Sequence, residues 1–500
     1  MVDATVSDVP SQADIDAMAQ AEEAPLRAEI ARVVETGQNV RIEPGPNGTT
    51  IWHVQAGAGG IPATAQTFDF LAKDINIQEG YTVVWDSEMF HNVTFHPGRM
   101  HPEFIVPIPQ LSPWAIMWDL TWSILGETLC EDAMKSIELD YSKRCGDEPS
   151  KGHNRWHPDI APAVTADPGE EVLLQTRNAF DGEVTPSSRA GDLTNLNLNV
   201  VHPLTGPVFV NGAEPGDLLE VNILEIEPAS WGFTTIIPGF GFLRDVFLEP
   251  YIVHWIIEDG YAESPDLPGV RIPGAPFMGT IGVAPSRELR REIYLREDEL
   301  LQRGGAVLGP EPKDAVPAHE PIASEALRTI PPREHGGNLD IKQLTAGTRL
   351  LLPVFTPGAL FSAGDAHFAQ GDSECCGTAV EMDCTLHVNF QVRKGEATRR
   401  NLRFPIFERD DYFTTPEMAV PQRFIASTGM CIADGVNESE NATLASRNAL
   451  LSMIQLLMER GWSREQAYCI CSVAVDLKVS QVVDVPNFVV SAFLPLDIFV

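Results

Sequence analysis

Leu350-Leu351-Leu352-Pro353-Val354-Phe355, and shortly after it Gly364-Asp365-Ala366-His367-Phe368-Ala369-Gln370-Gly371-Asp372-Ser373-Glu374, set an apolar run beside the densest polar constellation of the chain. The first run is too short for a buried helix and ends among Pro and Gly, so it reads as a strand. The same texture extends outward. From His153 to about Phe407, short β signals alternate with Pro/Gly turns. Regular strand–turn spacing without alternating helical patterns predicts a sandwich or barrel, not βαβ units. The fold class expected is mainly β with α, with helices confined to an insertion and to the C-terminal end.

The polar stretch is where chemistry is expected. If it stays extended, Asp365 and His367 share one face, because strand side chains alternate. Gly371 permits a tight turn that returns Asp372 and Glu374 to the same place. Carboxylates converging on an imidazole offer the oxygen and nitrogen donors of a hydrolytic metal. A polar turn with a hydrogen-bonded His is the alternative reading of the same spacing. Two further groupings are Glu334-His335-Gly336-Gly337-Asn338-Leu339-Asp340-Ile341-Lys342 and His153-Asn154-Arg155-Trp156-His157-Pro158-Asp159-Ile160-Ala161-Pro162. In the former, paired glycines suggest a backbone that must approach something closely. No Gly-x-Ser-x-Gly elbow, Walker loop or Gly-x-Gly-x-x-Gly occurs.

Helices are expected at three places. Ser286 caps a charged segment through Leu301 that ends at Gly304-Gly305. Thr443 is the expected cap of a helix through Met458, and Ser463 with Gln466 opens a second with a capping box. An N-terminal stripe, Ile15, Met18, Leu26, Ile30 and Val33, predicts a helical segment within residues 1–50. Residues 51–110 turn β-like, and 111–152 read as a connector.

Charge excludes some partners. Seventy acids against 35 bases in 500 residues leave a formal charge of -35. Phosphate binding needs clustered bases, and no Lys/Arg run occurs, so neither nucleic acid nor an anionic membrane surface is expected. The longest apolar candidate for a span, Phe104–Leu125, is broken by Pro107, Pro109, Pro113 and Asp119. No basic and apolar leader is visible, so a cytoplasmic location is expected, or an exported one if a signal peptide was removed. The 8 Cys read as reduced structural thiols.

The order of these motifs resembles the acetamidase/formamidase family. The matching stretches run from His153–Pro162 through His202-Pro203-Leu204-Thr205-Gly206-Pro207 and Gly212-Ala213-Glu214-Pro215-Gly216-Asp217. They continue through Trp231-Gly232, Ile236–Gly241, Gly279–Pro285, Gly336–Asn338 with Asp340, and Gly364–Asp372, to Ser472–Phe499. The helical insertion at 286–330 is similar to that of the longer, formamidase-leaning members. The resemblance implies a catalytic domain over 153–500 with a β-sandwich-rich fold and usually a homo-oligomer. It implies hydrolysis of small linear amides, formamide or acetamide in type, to ammonia and a carboxylate. Under it, Asp340, Asp365 and His367 are expected to hold a divalent ion, zinc in preference to calcium. Glu374 and Asp372 are then the expected catalytic groups, with Glu374 the general base, and Asp159, Asn338 and Gln370 the substrate-positioning ones. Ser373 is a departure, standing where the family commonly carries Gly.

Phe68-x-Phe70, Ile75-x-Ile77, Gly80–Trp85 and His91–Phe95 resemble the first half of a plastocyanin-like cupredoxin. The Cys–His–Met cluster that would complete a blue-copper site is absent, so copper is not expected. A copper-binding or electron-transfer protein carrying an inactive amidase-like domain is the alternative function.

Overall fold

The computed structural model describes residues 134–410 and 423–500 in full, and the backbones of five strands among residues 40–118. Two compact units divide at Ala133/Met134. In the first, Val40–Pro44, Thr50–Gln55, Thr82–Asp86, Ala115–Trp118 and Ile105–Pro107 form one sheet in that order. Residues 40–44 are thus a strand, pairing antiparallel with Thr50–Gln55, inside the span 1–50 assigned to the N-terminal helical segment. The helical stripe at 15–33, His91 and Val93–Phe95 lie outside the described residues, so the cupredoxin likeness gains no structural support.

The second unit is built as the β texture predicts. A six-stranded sheet runs Ile406–Glu408, Arg349–Pro353, Leu218–Pro228, Cys384–Arg393, Glu171–Thr176, Lys135–Ile137. The last strand draws residues expected to be connector into the domain, through parallel pairing of Val172 with Lys135 and of Leu174 with Ile137. An eleven-stranded sheet contains Phe361–His367, flanked by Leu204–Val210 and Phe277–Gly282. Every residue of Phe361–His367 is buried, as is every residue of Phe277–Gly282. A strand in the interior of such a sheet is covered on both faces, which is why its sequence does not alternate cleanly. Leu219, Val221, Leu350, Leu352, Phe361, Ala363, Leu386 and Val388 share one buried hydrophobic cluster.

The helices follow their start signals. Ser286 caps Arg287–Gln302 by accepting from the Leu289 N–H, and Ser463 and Gln466 form the reciprocal box of Arg464–Ala474. Ala442–Met458 starts one residue before the expected cap, because the Asn441 side chain, not Thr443, accepts from the Leu444 N–H at 2.9 Å. These last two helices pack beside a small sheet of Phe424–Met430, Val489–Pro495 and Asp476–Gln481. No helix among the described residues is long and apolar enough to cross a membrane.

Candidate active site

Five side chains converge where Phe361–His367 meets its neighbours. Asp365 and His367 come from that strand, and Glu381 from the short strand Glu381–Met382, which pairs with it at His367. Asp340 follows Gly336–Asn338, which pairs with Phe277–Gly282, and Glu374 sits on the turn after His367. The His367 Nε2 lies 3.5 Å from Asp365 Oδ1, 3.3 Å from Glu381 Oε1 and 3.8 Å from Glu374 Oε1. Asp340, Asp365 and His367 form one group of metal-competent atoms, and His367, Glu374 and Glu381 a second that shares the imidazole.

The backbone is bent to make this meeting. Asp340, Asp365 and Glu374 have φ of 49°, 58° and 48°, and Ser373 has 129°. Left-handed conformations at non-glycine residues cost on the order of 1–3 kcal/mol each and collect at functional sites. The expected shared face of Asp365 and His367 is therefore reached, but through a kinked strand and not a regular one. At 129°, Ser373 occupies a conformation suited to glycine. Gly279 supplies the space: a Cβ there would lie 2.7 Å from His367 Cε1 and 2.8 Å from both Asp340 Oδ1 and Asp365 Oδ2.

The electrostatics call for a cation. Among the described residues, no Lys or Arg is paired with Asp340, Asp365, Glu374 or Glu381. Burial, reinforced by Asp365 and Glu381 against the pull of His367, pushes the Asp340 carboxyl up to about 8. Burial and then Asp340 raise Glu374 well above the usual carboxylate range. Burial also raises Glu381. At Asp365 burial acts upward but is outweighed by His202 and His367, which hold it low. His367 is raised well above the usual imidazole value, burial being overcome by Glu381 and Asp365. Asp340 Oδ1, His367 Nε2 and Glu381 Oε2 are buried without a hydrogen-bond partner. Unpartnered buried polar atoms are rare and costly. Three of them on one cluster of acids fit a divalent ion bound by mixed O and N donors.

Gln370 holds the imidazole. Its Nε2 donates to the Asp340 carbonyl at 2.9 Å, so its Oε1, 2.9 Å from His367 Nδ1, is left to accept. Were a cation bound at Nε2, this bond would keep the remaining proton on Nδ1. Gln370 is thus a partner of His367, where sequence suggested a substrate contact. Asn338 Oδ1 accepts from Thr280 Oγ1 at 2.7 Å, and Asn338 borders the cavity beside the cluster.

Two expected residues are not brought in. Asp159 is held at the surface by Arg287 Nη2, at 2.6 Å from each carboxylate oxygen. Its position is claimed by the insertion helix, whose first residue is Arg287. Asp372 lies beyond the turn, where its N–H donates to Asp476 Oδ1 at 3.0 Å and its Oδ1 accepts from Gln343 at 3.2 Å. Alternation along an extended chain would have returned it with Glu374, but the left-handed Ser373 and Glu374 reverse the chain between them. Conversely, sequence reasoning missed Glu381 and His202. Glu381 is a lone acid in the apolar run Thr378–Met382, a signal available but not read. His202 sits in a quoted motif, with its Nε2 3.5 Å from Asp365 Oδ2. Cys375 and Cys376 are buried; the Cys376 thiol faces the Thr235 carbonyl at 3.3 Å.

The cluster opens on a cavity lined also by Phe180, Val201, His202, Ile237, Phe240 and Ile330. Residues 138–500 match the Acetamidase/Formamidase family. The chain is 36% identical over 369 residues to an acetamidase of Mycolicibacterium smegmatis, covering 67% of this chain and 88% of that protein. It is 34% identical over 391 residues to a formamidase of Methylophilus methylotrophus, covering 73% and 94% respectively. Among solved structures, a gamma lactamase from Delftia acidovorans superposes with a TM-score of 0.69 at 34% identity, covering 73% of this chain and 93% of that one.

Proposed function

The chain belongs to the acetamidase/formamidase family, and from that premise we propose that the buried cluster is where it hydrolyses small linear amides to ammonia and a carboxylate. The observation that carries the reading is the convergence of Asp340, Asp365, His367, Glu374 and Glu381 beside a cavity, with three of their atoms unpartnered. Asp340, Asp365 and His367 would hold a divalent ion, zinc in preference to calcium, with Glu381 a further donor. When bound, such an ion polarises a carbonyl and lowers the pKa of a bound water.

The remaining work falls to the chain. With an ion bound, Gln370 would keep the proton on His367 Nδ1 and leave Nε2 to the ion. Glu374 lines the cavity, where it is placed to take a proton from the attacking water. It then returns that proton to the departing nitrogen, which leaves as ammonia. Asn338, fixed by Thr280, offers an amide at the cavity wall for the substrate's own amide. The apolar side excludes bulk water from the reacting carbonyl.

Ammonia release from formamide, acetamide and propionamide, with and without a chelator and after return of zinc or calcium, tests the reading. Release that chelation abolishes and metal restores is expected. Release indifferent to chelation removes the ion from the mechanism, and no release from any amide removes the function.

A further inference from the structure

We propose that the apolar wall facing the carboxylate cluster is the acyl-chain subsite, and that Ile330, delivered by the 286–330 insertion, sets the chain length the enzyme accepts. The inference rests on the reading of the cluster as the amide-hydrolysing site. One cavity holds both halves of a substrate's requirements. Asp365, Glu374, Glu381 and Asn338 line one part, and Phe180, Val201, Ile237, Phe240 and Ile330 another. The polar groups can fix a carboxamide, and the apolar side chains, with His202 and Thr378 among them, leave few partners for a polar substituent.

That wall is firm. Phe180, Val201 and Ile237 belong to a buried cluster separate from the main core, and Phe240 and Ile330 pack against it. The His202 N–H donates to Thr329 Oγ1 at 2.5 Å, tying the segment that bears Val201 to the one that bears Ile330. Nearby in the chain, Arg155 donates to the Asn199 carbonyl at 3.0 Å, and Arg328 reaches the Leu198 carbonyl. On the other flank of Ile330, Arg333 makes a two-pronged contact with Glu297 of the insertion helix, at 2.7 and 2.9 Å. Arg296 of the same helix holds Glu334. The insertion therefore braces the segment that carries Ile330 toward the cavity.

The space is small. The cavity offers ≈ 40 Å³ to the centres of water-sized molecules. A firm wall cannot yield to each added methylene, and a misfit of one methylene changes kcat/KM by roughly ten-fold or more.

The test is kcat/KM by ammonia release across formamide, acetamide, propionamide, butyramide and isobutyramide, in the full chain and in Ile330→Ala and Ile330→Phe. Wild type is expected to lose about ten-fold or more between acetamide and butyramide. Ile330→Ala should raise the butyramide-to-formamide ratio by about ten-fold, and Ile330→Phe should lower the propionamide-to-formamide ratio similarly. A merely structural role would move all substrates together and leave the ratios fixed. Ratios unchanged within two-fold in both variants, or a wild-type series that is flat with chain length, overturn the subsite while leaving the amidase reading intact. A wild type inactive on every amide overturns that reading, and the subsite with it.

Discussion

Gln370 Oε1 lies 2.9 Å from His367 Nδ1, while the same amide's Nε2 is spent on the Asp340 carbonyl. One side chain thus orients the imidazole and ties it to the loop that carries Asp340. Partners of this kind govern metal affinity through the ligand they hold, typically by 10–100-fold. Gln370→Leu is expected to weaken zinc binding by about that factor, read by competition with a chromophoric chelator. Gln370→Glu, which keeps an acceptor toward Nδ1, should recover most of it. Equal losses in both variants would deny the orienting role.

Gly279 makes a sharper prediction. The first carbon of any side chain there meets two carboxylate oxygens and the His367 ring at 2.7–2.8 Å. Gly279→Ala should abolish the metal-dependent rise in melting temperature and lower amide hydrolysis by at least about 100-fold, because misplacement of about 1 Å costs that much. Retained metal-dependent stabilisation would place the ion elsewhere.

Ser373 is exposed and has a φ of 129°. Ser373→Gly removes the strained Cβ at the cost of added freedom in the unfolded chain, with a net gain expected near 1 kcal/mol. A higher denaturant midpoint with unchanged slope would register it. The variant should at least match wild-type activity, since glycine adopts this conformation without strain.

Acid sensitivity is expected from two buried histidines away from the cluster's side chains. Burial, against a bond to the Arg155 carbonyl, holds His153 down to about 4. Burial and then the Arg333 charge hold His335 down to about 3. Both are neutral in the fold, while the unfolded chain takes up their protons as pH falls through about 6.5. Their contribution is complete above that pH and is lost as pH falls toward 4 and then 3, by about 3 kcal/mol for His153 alone. Unfolding midpoints between pH 7.5 and 4.5 measure the slope. His153→Gln should be less stable at pH 7.5 but lose less on acidification, and an unchanged slope would dismiss His153 as its source.

The sequence by itself determined the β architecture and the helix starts that Ser286 and Ser463 mark. Those features are local: turn residues, caps and short-range alternation act within a few positions. It also determined that Asp340, Asp365, His367 and Glu374 belong together, through the order of motifs. Only tertiary structure decided which neighbours join them. Glu381 enters because its strand pairs with the one bearing His367, and His202 because Thr329 anchors it. Asp372 leaves because two left-handed residues turn the chain after it. Asp159 leaves because Arg287, more than a hundred residues away in the chain, reaches it first. Such pairings are set by long-range packing and by backbone dihedrals that a residue's type permits but does not impose. They are invisible until the sheet has closed around the cluster.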